Sequence, residues 1–122
     1  MKTHAYYFEP VPKPRMTQRD KWKKRPVVER YRAFKDLCRD ENVSIPESGA
    51  HIRFYLKMPK SWSKKKKLAM EGHPHQQRPD IDNLLKGLLD AVYHEDSVVY
   101  NISASKYWSV NPGFTISVQK TN

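Results

Sequence analysis

Three aspartates and a lysine between residues 80 and 96 are the side chains of this sequence best suited to chemistry: Asp80, Asp82, Lys86 and Asp96. In an extended segment, side chains at i and i+2 point to the same side, so Asp80 and Asp82 can converge on one cation. Lys86 follows Asp82 by one helical turn, which brings its ammonium group within reach of the same site if a helix starts near Asp82. We therefore expect two acids and a lysine to cluster at a helix start.

Such a cluster suits the hydrolysis of a phosphodiester. The reaction needs a more basic water nucleophile, and it needs positive charge where the phosphorane and the leaving oxygen become negative. Mg²⁺ supplies both and prefers a few carboxylates plus waters as ligands. The lysine adds a cation that can bind the scissile phosphate or the attacking water. The spacing does not determine whether one or two ions take part.

The same residues also fit a purely structural interpretation. Asp82 can cap the helix N-terminus, Asp82 and Lys86 can form an i, i+4 ion pair, and Asp96 can be a turn residue. Asp96 returns to the helix N-terminus only if the chain folds back after the helix. A non-enzymatic nucleic-acid-binding protein therefore stays open as an alternative, as does a nuclease that acts on flaps, forks or RNA.

The charge of the chain indicates a polyanionic partner. The formal net charge is +10, from 23 basic and 13 acidic residues among 122, which favours binding to phosphates with release of counterions. Residues 11–70 hold 18 Lys and Arg against 6 Asp and Glu, whereas residues 76–99 hold 2 against 5. An acidic island in a basic chain would repel phosphate unless a cation lies between them, which again favours a metal site.

Two basic stretches are candidates for DNA contacts. Residues 10–26 are rich in Pro, Lys and Arg around Trp22. This composition predicts a long basic loop that is mobile without its ligand, binds a phosphate backbone and stacks on an exposed base. A solvated linker fits the same composition. Residues 64–67 are four lysines that repel one another in a helix, which fits an anionic partner or a solvated face. The predicted DNA contacts are Lys13, Arg15, Arg19, Lys21, Trp22, Lys23, Lys24, Arg25, Lys64, Lys65, Lys66, Lys67 and Arg78.

Hydrophobic periodicity predicts three helices that would position these residues. The first spans residues 26–40 behind Pro26, and its apolar face is predicted to carry Val27, Tyr31, Phe34 and Cys38, the last as a core thiol. A short second helix begins at Ser61-Trp62-Ser63, runs through the four lysines at 64–67 to Met70 and is stopped by Gly72. The third spans residues 82–92, with an apolar face of Leu84, Leu85, Leu88, Leu89, Ala91 and Val92 and a polar face of Asp82, Asn83, Lys86, Gly87 and Asp90.

Alternating residues predict the strands. We expect strands at residues 5–8, 50–58 and 98–108, and a returning strand with Phe114, Ile116 and Val118 after the turn Asn111-Pro112-Gly113. The last two strands would form a hairpin. The expected fold is a single α+β domain over residues 1–122, with a small mostly antiparallel or mixed sheet and helices packed on one face.

Cysteine content and hydropathy narrow the setting. One cysteine, Cys38, excludes an intrachain disulfide and a zinc site made of cysteines. The sequence has no apolar run typical of a signal peptide or a transmembrane span. We therefore expect a protein of a reducing cytoplasm without a membrane partner.

The segment Asp80-Ile81-Asp82-Asn83-Leu84-Leu85-Lys86, followed by Glu95-Asp96-Ser97-Val98-Val99, resembles the RusA family of Holliday-junction resolvases. The family pattern is D-x-D-N-x-x-K, then a helix, then an acidic pair before a valine-rich strand, and the match covers roughly residues 78–100. The resemblance implies a homodimer that binds branched DNA at four-way junctions and makes paired nicks with Mg²⁺ or Mn²⁺. It also implies a role in DNA recombination and repair or phage DNA processing, in a bacterial cytoplasm.

By residue, the resemblance implies that Asp80, Asp82 and Asp96 are metal ligands and that Lys86 is catalytic. Asp90 matches no catalytic position, and we interpret it as a surface residue. The link between the helix and Asp96 is shorter than in the best-known members. Glu95 stands where an aspartate is common, which makes it a candidate auxiliary ligand.

Overall fold

A computed structural model describes residues 2–15 and 25–119. In chain order the described elements are β1 (Lys2–Tyr6), α1 (Pro26–Asp40), β2 (Ser48–Lys57), α2 (Lys64–Met70), α3 (Ile81–Val92), a short 3-10 helix (Asp96–Val98), β3 (Asn101–Ser109) and β4 (Gly113–Val118). The predicted α+β class is confirmed. Five predicted DNA contacts lie outside the described residues: Arg19, Lys21, Trp22, Lys23 and Lys24.

The four strands form one mixed sheet in the order β1-β4-β2-β3. β4 is antiparallel to both β1 and β2, and β3 is parallel to β2. The predicted hairpin of the last two strands is wrong, because β2 lies between β3 and β4. β4 instead sets Phe114 opposite Phe54 and Ile116 opposite Ile52, which brings the most apolar residues of two strands into the core.

One face of the sheet is covered by α1 and α3. The inward residues of β2, Ile52 and Phe54, are fully buried in a cluster with helical and strand side chains that include Phe34, Cys38, Leu84, Leu88, Phe114 and Ile116. The predicted alternation of β2 is confirmed, since Leu56 is buried as well while Arg53 and Lys57 are exposed. Cys38 is a core thiol as predicted, and burial raises its pKa to about 12.

Several predicted boundaries and faces differ from the structure. β1 spans residues 2–6 rather than 5–8, because it follows the edge of β4 from Val118 to Phe114. In α1 the residue that packs inward near the start is Val28, and Val27 is 41% exposed. The strand predicted from residue 98 begins at Asn101, because residues 96–98 turn as a 3-10 helix.

Local sequence signals mark the starts of α1 and α2, although α2 begins at Lys64 rather than at Ser61 as predicted. Pro26 occupies the first position of α1, where its missing N–H costs nothing. The Ser63 hydroxyl accepts a hydrogen bond from the Lys66 N–H (3.1 Å) and caps α2, and Gly72 follows with φ +80°. Among the described residues, the helices are too short or too polar to cross a membrane.

The N-terminal segment crosses α3 at Gly87, which was predicted on the polar face but is buried. A Cβ at Gly87 would lie 2.8 Å from the Val11 carbonyl oxygen and 2.9 Å from the Lys13 nitrogen, so only glycine permits this approach. The Lys13 N–H donates to the Asn83 carbonyl (3.1 Å). The crossing places the Lys13 side chain beside the polar residues of α3.

Candidate active site

The first two acids lie at the N-terminus of α3. The helix begins at Ile81, Asp80 is its N-cap in extended conformation, and Asp82 is in the first turn. The helix therefore starts one residue earlier than the predicted residue 82, with Asp80 rather than Asp82 as its N-cap, and the expectation that both acids lie in one extended segment is wrong. The Asp80 side chain makes no capping hydrogen bond, and both carboxylates are exposed. The positive end of the helix dipole favours negative charge here.

Asp80 and Asp82 line one open hollow of about 670 Å³, which we call the acidic hollow. Its other lining residues are His75, Gln76, Gln77, Arg78, Ile81 and Lys106. The Lys106 ammonium donates hydrogen bonds to the carbonyls of Gln77 and Pro79 (2.7 Å to Pro79). Lys106 therefore fixes the backbone directly before Asp80 and adds a positive charge beside the two acids.

A chain of alternating charges runs along α3 behind the acidic hollow. Lys86 Nζ lies 2.8 Å from Asp96 Oδ2 and 3.3 Å from Asp90 Oδ1. Asp90 also accepts a hydrogen bond from the Lys13 ammonium. We call these four residues, Lys13, Asp90, Lys86 and Asp96, the lysine–aspartate chain. The two carboxylates are each only 21% exposed, whereas Lys86 is half exposed.

Contacts within the lysine–aspartate chain favour the charged forms of Lys86 and Asp90. Hydrogen bonds to Asp96 and then Asp90 raise the pKa of Lys86. Partial burial alone would raise the pKa of Asp90, but the hydrogen bonds from Lys13 and Lys86 outweigh it and lower the pKa. Lys86 is therefore a fixed cation at neutral pH.

The structure brings Asp96 against Lys86, in the second turn of α3, rather than to the helix start. Asp96 does not line the acidic hollow. Glu95, the candidate auxiliary ligand, accepts a hydrogen bond from the Ser97 N–H (3.1 Å) and caps the 3-10 helix. Asp80 and Asp82 therefore line the acidic hollow together, whereas Lys86 and Asp96 contact each other outside it.

Sequence reasoning missed three residues near the site. Asp90, interpreted as a surface residue, is partly buried between two lysines. Its i, i+4 spacing from Lys86 was the available signal. Lys106 and His75 reach the acidic hollow from β3 and from the segment before α3, and no local pattern indicates that juxtaposition.

The donor chemistry of the acidic hollow fits Mg²⁺, which binds through one or two carboxylates and keeps several waters. Asp80 and Asp82 are the residues that would hold it. Within residues 2–15 and 25–119, no group of three or more His, Cys, Asp or Glu side chains could hold a metal ion as it stands. Asp96, the third acid predicted as a ligand, contacts Lys86 here.

The predicted DNA contacts within the described residues surround the site unevenly. Arg78 is exposed and lines the acidic hollow, whereas Lys13 is bound to Asp90. The Arg25 guanidinium donates to the Arg15 carbonyl (2.8 Å). The lysines at residues 64–67 lie on α2, and Lys66 Nζ is 4.3 Å from the centre of the Trp62 ring.

Comparison with known proteins adds two findings. A family model described as endodeoxyribonuclease RusA matches residues 8–119. A relative named "Uncharacterized protein YqaN", from Bacillus subtilis (strain 168), is 32% identical over 92 residues, which cover 69% of this chain and 65% of the relative. The chain therefore spans about 65% of the length of that relative. The family match includes every described element from α1 to β4 and all four candidate catalytic residues.

Proposed function

The chain belongs to the RusA family of endodeoxyribonucleases, and from that membership we propose that it is a Mg²⁺-dependent endonuclease that resolves four-way DNA junctions by paired nicks. The observation that carries the proposal is the pair of exposed carboxylates, Asp80 and Asp82, in one hollow at a helix N-terminus. The chain around them has a net charge of +10. Two carboxylates at a phosphate-binding surface would repel the phosphate, unless a metal cation is bound between the carboxylates and the phosphate.

In the proposed reaction, Asp80 and Asp82 would hold the metal ion, Asp96 would exchange its contact with Lys86 for a place as the third carboxylate, and Mn²⁺ would substitute for Mg²⁺. When bound, the ion lowers the pKa of a water and stabilises charge on the phosphate oxygens. Lys86 supplies a positive charge for the scissile phosphate, and its pairing with Asp90 (3.3 Å) keeps it on the same face of α3 when Asp96 binds the ion. Lys106 holds the backbone before Asp80 and so keeps that carboxylate in place.

We further propose that the active species is a homodimer. Paired nicks require two sites, and a twofold dimer presents two copies of one site to a junction of approximate twofold symmetry. Basic residues such as Arg78 and those of α2 would supply affinity through phosphates. The proposed setting is phage DNA processing, recombination or repair in a bacterial cytoplasm. Sedimentation analysis over a range of protein concentrations tests the dimer.

The central experiment compares cleavage of a labelled four-way junction by wild type and Asp82→Asn, with and without Mg²⁺. We expect the variant to bind the junction normally and to cut about 100-fold more slowly or worse, because it loses a ligand of the ion that stabilises the transition state. Asp36→Asn is the matched control, since Asp36 is an exposed acid on α1 paired only with Arg39 among the contacts found (3.0 Å). Wild-type cleavage by Asp82→Asn would refute the site.

The second candidate is a non-enzymatic nucleic-acid-binding protein, in which the contact of Asp96 with Lys86 is an ion pair that stabilises the fold. That alternative predicts no divalent-dependent cleavage of any substrate, and it predicts that Asp80→Asn tightens binding without a catalytic loss. A mobile four-way junction, a flap, a plain duplex and an RNA hairpin should be assayed side by side. Preference for the flap or the hairpin would indicate a nuclease of different specificity.

A further inference from the structure

A second cavity, of about 540 Å³, lies directly beside the acidic hollow, and we call it the proline–tryptophan cavity. Its apolar lining comes from Pro10, Pro12, Leu56, Met58, Pro59 and Trp108. It shares His75, Gln77 and Arg78 with the acidic hollow, and Pro79, the residue before Asp80, lines it as well. Its volume is within the range of roughly 300–1,000 Å³ that is usual for small-molecule sites.

The charges around the proline–tryptophan cavity favour an anionic, partly apolar occupant. Arg30, Lys57, Lys60 and Arg78 line it, and Glu9 is the single acid among its lining residues. Glu9 lies 3.7 Å from Arg30 and 3.5 Å from Lys57, which leaves a positive balance. An apolar wall beside cations complements a nucleotide, because the base has apolar faces and the phosphate is negative.

His75 adds a polar group without a partner to this wall. It is only 5% exposed, and its Nδ1 is buried with no hydrogen-bond partner among the described residues. Its ring centre lies 4.1 Å from that of Trp108. Burial, and then the charge of Lys106, lower its pKa, so the imidazole is neutral at physiological pH. Buried polar atoms are nearly always paired, with protein or with ordered water, so this nitrogen is available to a water or to a molecule bound in the cavity.

We propose that the proline–tryptophan cavity receives one unpaired nucleobase of the DNA strand that is cut, next to the scissile phosphate. The inference rests on the proposed nuclease function. The base packs against the proline and tryptophan side chains, His75 exchanges a hydrogen bond with its edge, and the adjoining phosphate lies toward Arg78 and Asp80. Unpairing a base costs least where pairing is already interrupted, as at a junction crossover. The cavity thereby makes the cutting rate depend on one base beside the cut.

The test uses four-way junctions that carry the fluorescent base 2-aminopurine at single positions around the cut site. Binding is measured in EDTA, so the readout does not require cleavage. We expect the emission to change severalfold at one position and to stay constant at the others, because only one base leaves the stack. In Mg²⁺, the cutting rate should also vary about tenfold or more with the identity of the base at that position.

Two neighbouring exposed residues give a matched pair of variants. Gln77 lines both spaces, whereas Gln76 lines the acidic hollow but not the proline–tryptophan cavity. We expect Gln77→Trp to abolish the 2-aminopurine signal by filling the mouth of the cavity, and Gln76→Trp to retain it. His75→Phe keeps an aromatic ring beside Trp108 but removes the ring nitrogens, so it should reduce the dependence on base identity to within about twofold. Thermal unfolding verifies that each variant is folded.

The outcomes separate the two proposals. If wild type neither binds nor cuts the junction, the proposed function fails. If wild type binds and cuts but no position changes its emission, or if Gln77→Trp leaves the signal intact, the nucleobase site is wrong while the nuclease stands. If wild type cuts junctions at equal rates with any of the four bases at that position, the nucleobase site is also wrong, because a site that contacts a base edge discriminates between bases.

Discussion

At the scale of single residues, Asp90 connects the N-terminal segment to the candidate catalytic lysine. It bonds to Lys13 on one side and lies 3.3 Å from Lys86 on the other. Lys86 is thereby held between Asp90 and Asp96, which reduces the number of positions that its flexible side chain can occupy. Asp90 therefore acts on the proposed chemistry through Lys86, as a positioning residue.

Replacing Asp90 by Asn should destabilise the protein by about 1 kcal/mol, a value reduced from that of a buried charged hydrogen bond because the group is partly exposed. Its pKa is lowered in the folded state from an ordinary value of 3.8. A lowered pKa adds stability that is fully present above the ordinary value and is lost as the pH falls through the folded value. The difference between wild type and variant should therefore shrink below about pH 4.

Urea unfolding of metal-free protein at several pH values measures this difference. Asp36→Asn is again the control, because its exposed pair with Arg39 should contribute less than about 0.5 kcal/mol. A difference that stays constant from pH 7 to pH 3 would mean that the effect of Asp90 does not depend on its charge.

Lys106 is predicted to support metal binding from outside the ligand set. Lys106→Met removes both hydrogen bonds to the segment before Asp80, so Asp80 should lose its fixed position, and Mn²⁺ affinity measured by calorimetry should fall roughly tenfold or more. Lys35→Met removes one exposed cation from α1 and should leave affinity unchanged. Equal affinities for Lys106→Met and wild type would show that the segment holds its position without Lys106.

Local geometry made part of the site predictable. Asp80 and Asp82 were predicted to share one site, and they line one hollow. Lys86 was predicted to reach the same site from one helical turn later, but it pairs with Asp90 and Asp96 instead and does not line that hollow. The contacts of Lys13 with Asp90 and of Lys106 with Pro79 join residues 77 and 27 positions apart. Pairs so distant in sequence depend on how whole elements pack, and no periodicity within a segment encodes them.

At the scale of elements, the order of the strands was the main error of prediction. The turn before Gly113 is a good local signal for a hairpin, but β2 occupies the place beside β3. A Cβ at Gly113 would lie 2.4 Å from the Tyr6 carbonyl oxygen, so this glycine serves the contact with β1 as much as the turn. Turn chemistry predicts where a strand starts, whereas its partner is chosen by apolar residues such as Phe54 and Phe114 that meet in the core.

Because the N-terminal segment crosses α3 at Gly87, we expect a glycine-to-alanine substitution in this helix to lower stability, which is the opposite of the usual effect. Gly→Ala in a helix interior normally stabilises by about 1 kcal/mol. Gly87→Ala should instead destabilise by about 1–3 kcal/mol, because the new Cβ would overlap the backbone of Val11 and Lys13. Chemical denaturation measures the change, and proteolysis of residues 8–15 should become faster as the segment lifts from the helix. A gain in stability would show that the segment does not pack there.

At the scale of the whole molecule, the basic excess and the acidic island have separate places. The lysines of α2 precede the hollow in sequence and lie on a helix that contacts β3, while the acids gather at the start of α3. In the proposed complex, the lysines of α2 would bind phosphates of a DNA strand whose scissile phosphate lies at the acidic hollow. Composition suggested this conflict of charges, and within the hollow itself Arg78 and Lys106 lie beside the two acids.

Because the proposed affinity comes from phosphate contacts, junction binding should weaken steeply with salt. The logarithm of the binding constant should fall by about 0.9 per contact for each tenfold rise in salt. The variant Lys64→Gln, Lys65→Gln, Lys67→Gln keeps Lys66 on Trp62 and should lower this slope by about 1 to 3. The variant Arg32→Gln, Lys35→Gln, Arg39→Gln removes the same charge from exposed positions on α1. It should change the slope by less than about 1, and equal effects of both variants would mean that net charge, rather than α2, binds the DNA.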